Sequence, residues 1–180
     1  MQHQWPDREL DNLLMEELAS GNPSEARIRE LVAQGADVCS VGSNGNSVLM
    51  EAIWLMLDLD GKGSLDEKFI YLLVQLGADI NYVSEDASTA LTESWWPGNP
   101  RVTEFLLKKG ANPNPIDPET NETLLDYAEI DISYHKMEDP EWESHPESRT
   151  RINNLEEIIR LLRKYGARYF IELGTEAVEE

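Results

Sequence analysis

The residues with the most suggestive spacing for chemistry lie at 58–69, where acids and glycines are arranged like a calcium-binding loop. As a twelve-residue EF-hand loop, this segment carries Asp at positions 1 and 3, Gly at position 6 and an aliphatic residue at position 8. Two departures argue against tight binding. Lys62 brings a positive charge to a ligand position, and Phe69 replaces the bidentate Glu at position 12. We therefore expect a polar turn that lengthens the link between two helices.

Histidines and carboxylates are the other candidates for catalysis or metal binding. His3, His135 and His145 have no partner at the spacing of metal ligands, and the single cysteine, Cys39, is far from them in sequence. No nucleophile motif and no phosphate-binding glycine loop is present. We expect no metal, no cofactor and no catalytic residue. The remote alternative is a hydrolytic enzyme that uses carboxylates of a polar insertion, namely Glu138, Asp139, Glu141 and Glu143.

The charge of the chain restricts its partners. With 35 acidic and 15 basic residues among 180, the net charge is −20. Such a surface repels nucleic acid and anionic lipid, and it attracts basic proteins. Solubility alone is the competing explanation of this charge, and mimicry of nucleic acid in the cleft of a nuclease is a third.

Localisation follows from what the sequence lacks. No apolar run approaches the roughly 20 residues that a membrane span requires, and the first residues do not resemble an export signal. A single cysteine excludes an internal disulfide and fits a reducing compartment. We expect a cytoplasmic protein that is a monomer when free and does not bind membranes.

The elements that position these residues are indicated by a phrase that occurs four times. In each copy an apolar helical end is followed by Gly, Ala and a polar residue, which is typical of a helix stop and a turn. The copies lie at 31–37, 73–79, 106–112 and 161–168. Their glycines are 42, 33 and 56 residues apart, which indicates one structural unit used repeatedly with insertions.

A second motif keeps the same phase as the first. It begins ten residues after the glycine in the first two copies and eleven residues after it in the third. The segments that carry it are 45–52, 87–94 and 121–128. In these, Ser47, Thr89 and Thr123 can cap the start of a helix, and a leucine two residues later begins the buried stripe.

Together the two motifs resemble the ankyrin repeat, whose length is 33 residues and whose helix-opening box is G-x-T-P-L-H-x-A. The match is in register, although no unit keeps the Pro-Leu-His triplet and Cys39 replaces the turn asparagine that Asn81 and Asn114 supply. The resemblance implies an all-α solenoid of about four helix-turn-helix units with short β-hairpin-like fingers.

The boundaries of this expected architecture can be read along the chain. A single domain is predicted over 1–173, followed by an acidic tail at 174–180. Its units are expected at about 7–35, 36–77, 78–110 and 111–166. The paired helices are expected at 7–20 with 23–34, 47–58 with 65–76, 89–95 with 100–109, and 123–133 with 151–165. Within the last unit, the segment 134–150 is rich in Glu, Asp, Pro and Ser. Its low apolar content predicts an irregular excursion, serving either as disordered decoration or as a partner contact.

The resemblance also implies where a partner binds. Ankyrin repeats typically bind through the finger tips and the outer positions of the first helix in each pair. Mapped by register, the expected partner-binding residues of the first finger are Val41, Ser43, Asn44, Asn46 and Trp54. Those of the second are Val83, Glu85, Asp86, Ser88 and Trp96. Those of the third are Ile116, Pro118, Glu119 and Glu122.

The side chains of Trp95 and Trp96 cannot face the same way in a helix, because successive helical residues point about 100° apart. We expect one ring to pack in the core and the other to remain partly exposed, as at a binding hot spot. For these rings and for Trp54, core packing and surface recognition both remain open.

These expectations converge on a non-enzymatic module that binds a basic protein through its concave finger and helix face. The narrower alternative is a cytoplasmic immunity protein or inhibitor that neutralises a toxin or effector. Small size, acidic charge, degenerate repeats and long insertions favour that alternative.

Overall fold

The computed structural model describes residues 8–57 and 64–175, and this part of the chain is mostly helical. The predicted all-α class is confirmed at this level. The longer helices are α1 (Glu9–Leu18), α2 (Glu25–Gln34), α3 (Val48–Trp54), α4 (Glu67–Gln75), α6 (Pro100–Lys108), α7 (Leu124–Glu138) and α8 (Pro146–Lys164). The shorter ones are α5 (Ala90–Glu93), α9 (Phe170–Thr175) and a 3-10 turn at Leu55–Leu57. A hairpin pairs β1 (Ile116–Asp117) with β2 (Glu122–Thr123).

The predicted caps open the first helices of three pairs. The side-chain oxygens of Ser47, Thr89 and Thr123 accept hydrogen bonds from the backbone N–H three residues ahead. These bonds satisfy amides that have no partner within the helix. Three small polar side chains thus fix where α3, α5 and α7 begin.

Four helices end in the same way, as the recurring phrase predicted. In each, a glycine adopts a left-handed φ between 91° and 113°, and the N–H of the following alanine bonds to the carbonyl five residues earlier. The four bonds are Ala36 to Leu31 (3.0 Å), Ala78 to Leu73 (3.0 Å), Ala111 to Leu106 (3.0 Å) and Ala167 to Leu162 (2.9 Å). This geometry satisfies carbonyls that the helix end leaves without partners.

The chain after each of the first three stops makes the same turn. The side chain of Asp37, Asp79 or Asn112 accepts a hydrogen bond from the N–H two residues ahead at 2.9–3.0 Å. Each segment then reaches a tip with positive φ, at Gly45 (84°), Ala87 (62°) and Asn121 (56°). The three fingers are therefore conformationally equivalent at both ends.

The helices gather into two compact units, one up to Glu85 and one from Asp86 onward. This boundary falls inside the predicted third unit, 78–110. Each compact unit holds two helix pairs, and each helix of a pair buries a leucine or isoleucine almost completely. These residues are Leu14, Ile28, Leu49 and Leu73 in the first unit and Leu91, Leu106, Leu125 and Leu155 in the second.

The segment 134–150 is not the irregular excursion that its composition predicted. Helix α7 continues to Glu138 and α8 begins at Pro146, so only residues 139–145 lie outside helices. The prediction was wrong because low apolar content alone does not prevent a helix from extending when its polar side chains bond to those of a neighbouring helix.

Polar contacts attach the extension of α7 to α8 and to the connecting turn. Lys136 forms an ion pair with Glu156 at 2.6 Å, and its ammonium group lies 5.0 Å from the centre of the Trp142 ring. In the connecting turn, His145 Nδ1 lies 3.1 Å from Asp139 Oδ2. This hydrogen bond holds the pKa of Asp139 below its ordinary value.

Two sequence predictions fall wholly or partly outside the described residues. Positions 58–63 of the calcium-loop-like segment are outside them, as are His3 and residues 176–180 of the acidic tail. The described start of that tail, at 174–175, belongs to α9.

Candidate functional site

The predicted partner-binding residues of the first finger divide into internal and outward groups. The amides of Asn44 and Asn46 donate to Oε1 of Glu51 at 2.6 and 2.9 Å. Glu51 is buried on α3, so the two asparagines fix the finger to its own helix. The sequence predicted that these asparagines contact a partner. In the structure their amide groups instead bond to an acceptor within the same unit.

The remaining predicted residues of the first unit lie at or near its surface. Val41 and Trp54 are half-buried, and Val41 forms an isolated bridge with Ser47. Ser43 and Glu85 are exposed, and Val83 is 56% exposed.

In the second unit, four of the predicted residues do come together. Asp86, Ser88, Trp96 and Glu122 line one cleft of about 190 Å³ between the finger tips and the first helices. Ile116, at 42% exposure, and the exposed Pro118 and Glu119 belong to the neighbouring hairpin. They are absent from the lining.

The cleft is acidic and has an aromatic wall. Its carboxylates come from Asp86, Glu93, Asp117 and Glu122, and no Lys or Arg lines it. Asp117 also closes the hairpin, because its Oδ1 accepts the N–H of Glu119 at 2.8 Å. A concave surface of this charge attracts cationic groups and repels anions.

Trp96 and Tyr127 form the aromatic wall. Their ring centroids are 6.0 Å apart and the ring planes are inclined by 58°. Trp96 is 38% exposed, whereas Trp95 is 1% exposed, which confirms that the two rings point in different directions. The faces of such rings attract cations, and this attraction adds to that of the carboxylates.

The electrostatic environment of Tyr127 matches this description. Burial raises the pKa of its phenol, and the negative charges of Asp131 and Glu122 raise it further, while Arg151 opposes them. The Arg151 guanidinium lies close by, with Nη1 at 3.4 Å from the Trp96 carbonyl oxygen. The net effect is a raised pKa, and burial is its largest cause.

A comparison of the two fingers explains why the cleft is so acidic. Glu51 and Glu93 occupy the same position of the repeat, and both are buried. The positions of the two asparagines that donate to Glu51 are taken by Asp86 and Ser88 in the second finger. An amide donor has thus been exchanged for another carboxylate.

Sequence reasoning missed the residues that extend this surface along α7. Ile130 and Tyr134 are each 57% exposed, and Met137 is 69% exposed. Their spacing of four and three residues was a readable signal of one helix face. It was overlooked because the segment from 134 onward was expected to be irregular.

The carboxylates considered for catalysis lie at or near the surface. Glu138, Glu141 and Glu143 are exposed, and Asp139 bonds to His145. A general acid needs a raised pKa, whereas the pKa of Asp139 is lowered.

Two further findings concern metal sites and membrane spans. Across residues 8–57 and 64–175, no three His, Cys, Asp or Glu side chains are grouped so that they could hold a metal ion. In the same residues, no helix combines the length and apolar character needed to cross a bilayer.

Compared with known proteins, the chain matches no protein-family model, and no curated protein matches it.

Proposed function

We propose that this chain is a non-enzymatic, ankyrin-repeat-like module that binds a basic protein through its finger tips and the outer ends of its first helices. The observation that carries the proposal is the exposed Trp96 ring on the wall of a cleft with four carboxylates. Large aromatic side chains dominate the energetics of protein interfaces, and the carboxylates select a cationic partner.

The repeat assignment is supported by local geometry. Four helix stops share one hydrogen-bond pattern, three turns share another, and three finger tips share a positive φ. These features coincide with the motifs that resemble the ankyrin repeat. A repeat of this kind presents successive fingers to a partner and leaves its helices as the scaffold.

The register supports the choice of surface. Trp54, Trp96 and Ile130 each lie nine residues after a finger tip, so an apolar side chain occupies the same outer position in three successive repeats. In the second unit, Trp96 and Ile130 are both exposed. With a net charge of −20, association with a basic partner is accelerated at low salt and slowed as salt screens the charges.

Site-specific photo-crosslinking in the cells that make the protein tests this proposal. A crosslinking amino acid at Pro118 or Trp96 should capture one basic protein in stoichiometric amount. The same amino acid at Lys108 or Arg160, exposed positions on second helices, is the matched control and should capture far less. The purified complex should weaken steeply between 50 and 500 mM salt. No captured partner, or equal capture from both pairs of positions, would contradict the proposal.

A further inference from the structure

One face of α7 is apolar although it is directed toward solvent. At 100° per residue, positions 127, 130, 134 and 137 lie within about 80° of one another around the helix axis. Ile130, Tyr134 and Met137 are each more than half exposed. We call these three residues the α7 stripe.

The α7 stripe is separate from the face that holds the helix in the fold. Leu124, Leu125, Ala128 and Ile132 are the buried residues of α7, and their mean direction is roughly opposite to that of the stripe. A helix that only covers a core carries polar residues on its outer side. The stripe is therefore not the face by which α7 packs into the core of its unit, and a contiguous apolar surface of this kind is typical of an interface.

The α7 stripe begins where the acidic cleft ends. Tyr127 shares the face of the stripe and also lines the cleft beside Trp96. From Tyr127 to Met137 the helix rises about 15 Å. A ligand that enters the cleft and follows α7 therefore meets carboxylates and aromatic rings first, and then three apolar side chains.

We propose that this surface binds a basic amphipathic helix of the protein partner, with one Arg or Lys in the cleft and apolar side chains along the α7 stripe. The inference rests on the proposed function and specifies its partner. Charge complementarity selects this occupant, since a second copy of the chain would bring another net charge of −20. A small cation could fill the cleft but would leave the stripe exposed.

Defined peptides test the occupant directly. The first probe is a 15-residue acetylated and amidated helix with one arginine near its start and leucines three, seven and ten residues later, on a background of Ala, Gln and Lys. The second contains the same residues permuted so that the leucines surround the helix. A third reverses the order along the helix to allow for the opposite direction. By calorimetry at low salt, one of the two ordered peptides should bind saturably with one site, at least tenfold more tightly than the permuted peptide.

Variants of the protein separate the two parts of the surface. Tyr134→Ser combined with Met137→Ser changes exposed positions only. This double variant should bind the ordered peptide at least tenfold more weakly than the wild type does. The control, Thr150→Ser combined with Asn153→Ser, alters exposed positions of α8 and should leave affinity within twofold.

The cleft is tested by a double-mutant cycle. Glu122→Gln should lower the affinity for the arginine peptide about threefold to tenfold and make that affinity less dependent on salt. It should leave a peptide with glutamine in place of the arginine unaffected. Equal losses for both peptides would show that the cleft does not hold the cationic side chain, and would overturn this part of the proposal.

Several outcomes would overturn the inference without touching the proposed function. If neither ordered peptide binds better than the permuted one, while crosslinking from Pro118 still captures a basic protein, the partner uses the fingers and not the α7 stripe. If sedimentation shows a dimer that Tyr134→Ser with Met137→Ser abolishes, the occupant is a second copy. If crosslinking also captures nothing, the proposed function itself fails.

Discussion

The indole Nε1 of Trp95 donates a 2.9 Å hydrogen bond to Oδ2 of Asp131, which ties the residues after α5 to the middle of α7. Trp95 is 1% exposed, and this bond satisfies the only polar atom of its side chain. With Trp95 held inward, the following residue must point elsewhere, and Trp96 reaches the acidic cleft.

Removal of the Asp131 carboxylate should therefore destabilise the protein. We expect Asp131→Ala to lower the free energy of unfolding by about 1–3 kcal/mol, because a buried indole N–H loses a charged acceptor. Trp95→Phe keeps a buried ring and removes the N–H. In urea titrations, the double variant should be less destabilised than the sum of the singles by about 1 kcal/mol or more. Strict additivity would show that the bond contributes nothing.

The finger tip at Ala87 carries backbone strain that a glycine should relieve. Its φ is 62°, a region that costs an L-residue with a Cβ roughly 1–2 kcal/mol. Substitution by glycine removes this cost, but part of the resulting gain in stability is lost because glycine has a greater conformational entropy in the unfolded chain. We expect Ala87→Gly to raise the free energy of unfolding by about 0.5–1 kcal/mol.

Two other tips provide matched controls for this prediction. Asn121 has a φ of 56°, and asparagine tolerates this region better than alanine, so Asn121→Gly should gain less than Ala87→Gly. At Gly45, a Cβ would meet no atom within 4 Å, so Gly45→Ala should cost about 1 kcal/mol through conformation alone. Thermal unfolding of the three variants gives the comparison. Destabilisation by Ala87→Gly would contradict the shared tip conformation.

Asp126 makes stability depend on pH. Its Oδ2 accepts the N–H of Thr123 at 2.9 Å and that of Phe170 at 2.8 Å. Burial is the largest influence and raises the pKa of Asp126, but the hydrogen bonds to the carboxylate together outweigh it and leave the pKa lowered. A lowered folded pKa means that the stabilisation is present above the unfolded value near 3.9 and disappears as the pH falls through the folded value.

We therefore expect Asp126→Asn to be less stable than the wild type by about 1–2 kcal/mol at pH 6, and the gap to narrow toward pH 3. Unfolding in urea at a series of pH values measures this difference in the free energy of unfolding between the variant and the wild type. Thr123→Ala removes only the hydroxyl and leaves Asp126 with its backbone donors, so its gap from the wild type should change less with pH. A gap for Asp126→Asn that is constant from pH 6 to pH 3 would refute the assignment.

Cys39 and Asn114 hold equivalent positions with donors of different strength. The Cys39 thiol lies 3.2 Å from the Gly77 carbonyl oxygen, and the Asn114 amide lies 3.1 Å from that of Gly166. Because a thiol is a weaker donor than an amide, Cys39→Asn should stabilise the protein by about 0.5–1 kcal/mol. The midpoint of unfolding in urea, compared between the variant and the wild type under reducing conditions, measures this stabilisation.

The reverse exchange provides the control for that prediction. Asn114→Cys replaces the amide donor and also removes Oδ1, which accepts the N–H of Arg168 at 2.7 Å. This variant should lose about 1–2 kcal/mol. If Cys39→Asn destabilises the protein while Asn114→Cys does not, the two positions are not equivalent.

The sequence alone determined where several helices of this protein begin and end. A hydroxyl at Ser47, Thr89 or Thr123 starts a helix, and a glycine ahead of an alanine stops one, because both act on backbone groups within a few residues. Apolar spacing likewise predicts one buried face of the last long helix, α8, carried by Ile152, Leu155, Ile158, Ile159, Leu161 and Leu162. Five of the six are buried, and Ile159 is half-buried. These features could be predicted without knowledge of distant contacts.

Only the tertiary structure decided which side chains are available to a partner. Asn44 and Asn46 are engaged by the buried Glu51, and Trp95 is turned inward by Asp131, whereas Trp96 lines the cleft. The spacing of the α7 stripe is present in the sequence, but its exposure on one helix face depends on α7 continuing to Glu138. Burial and hydrogen bonding between residues far apart in the chain depend on how the helices pack, and local pattern does not encode that packing.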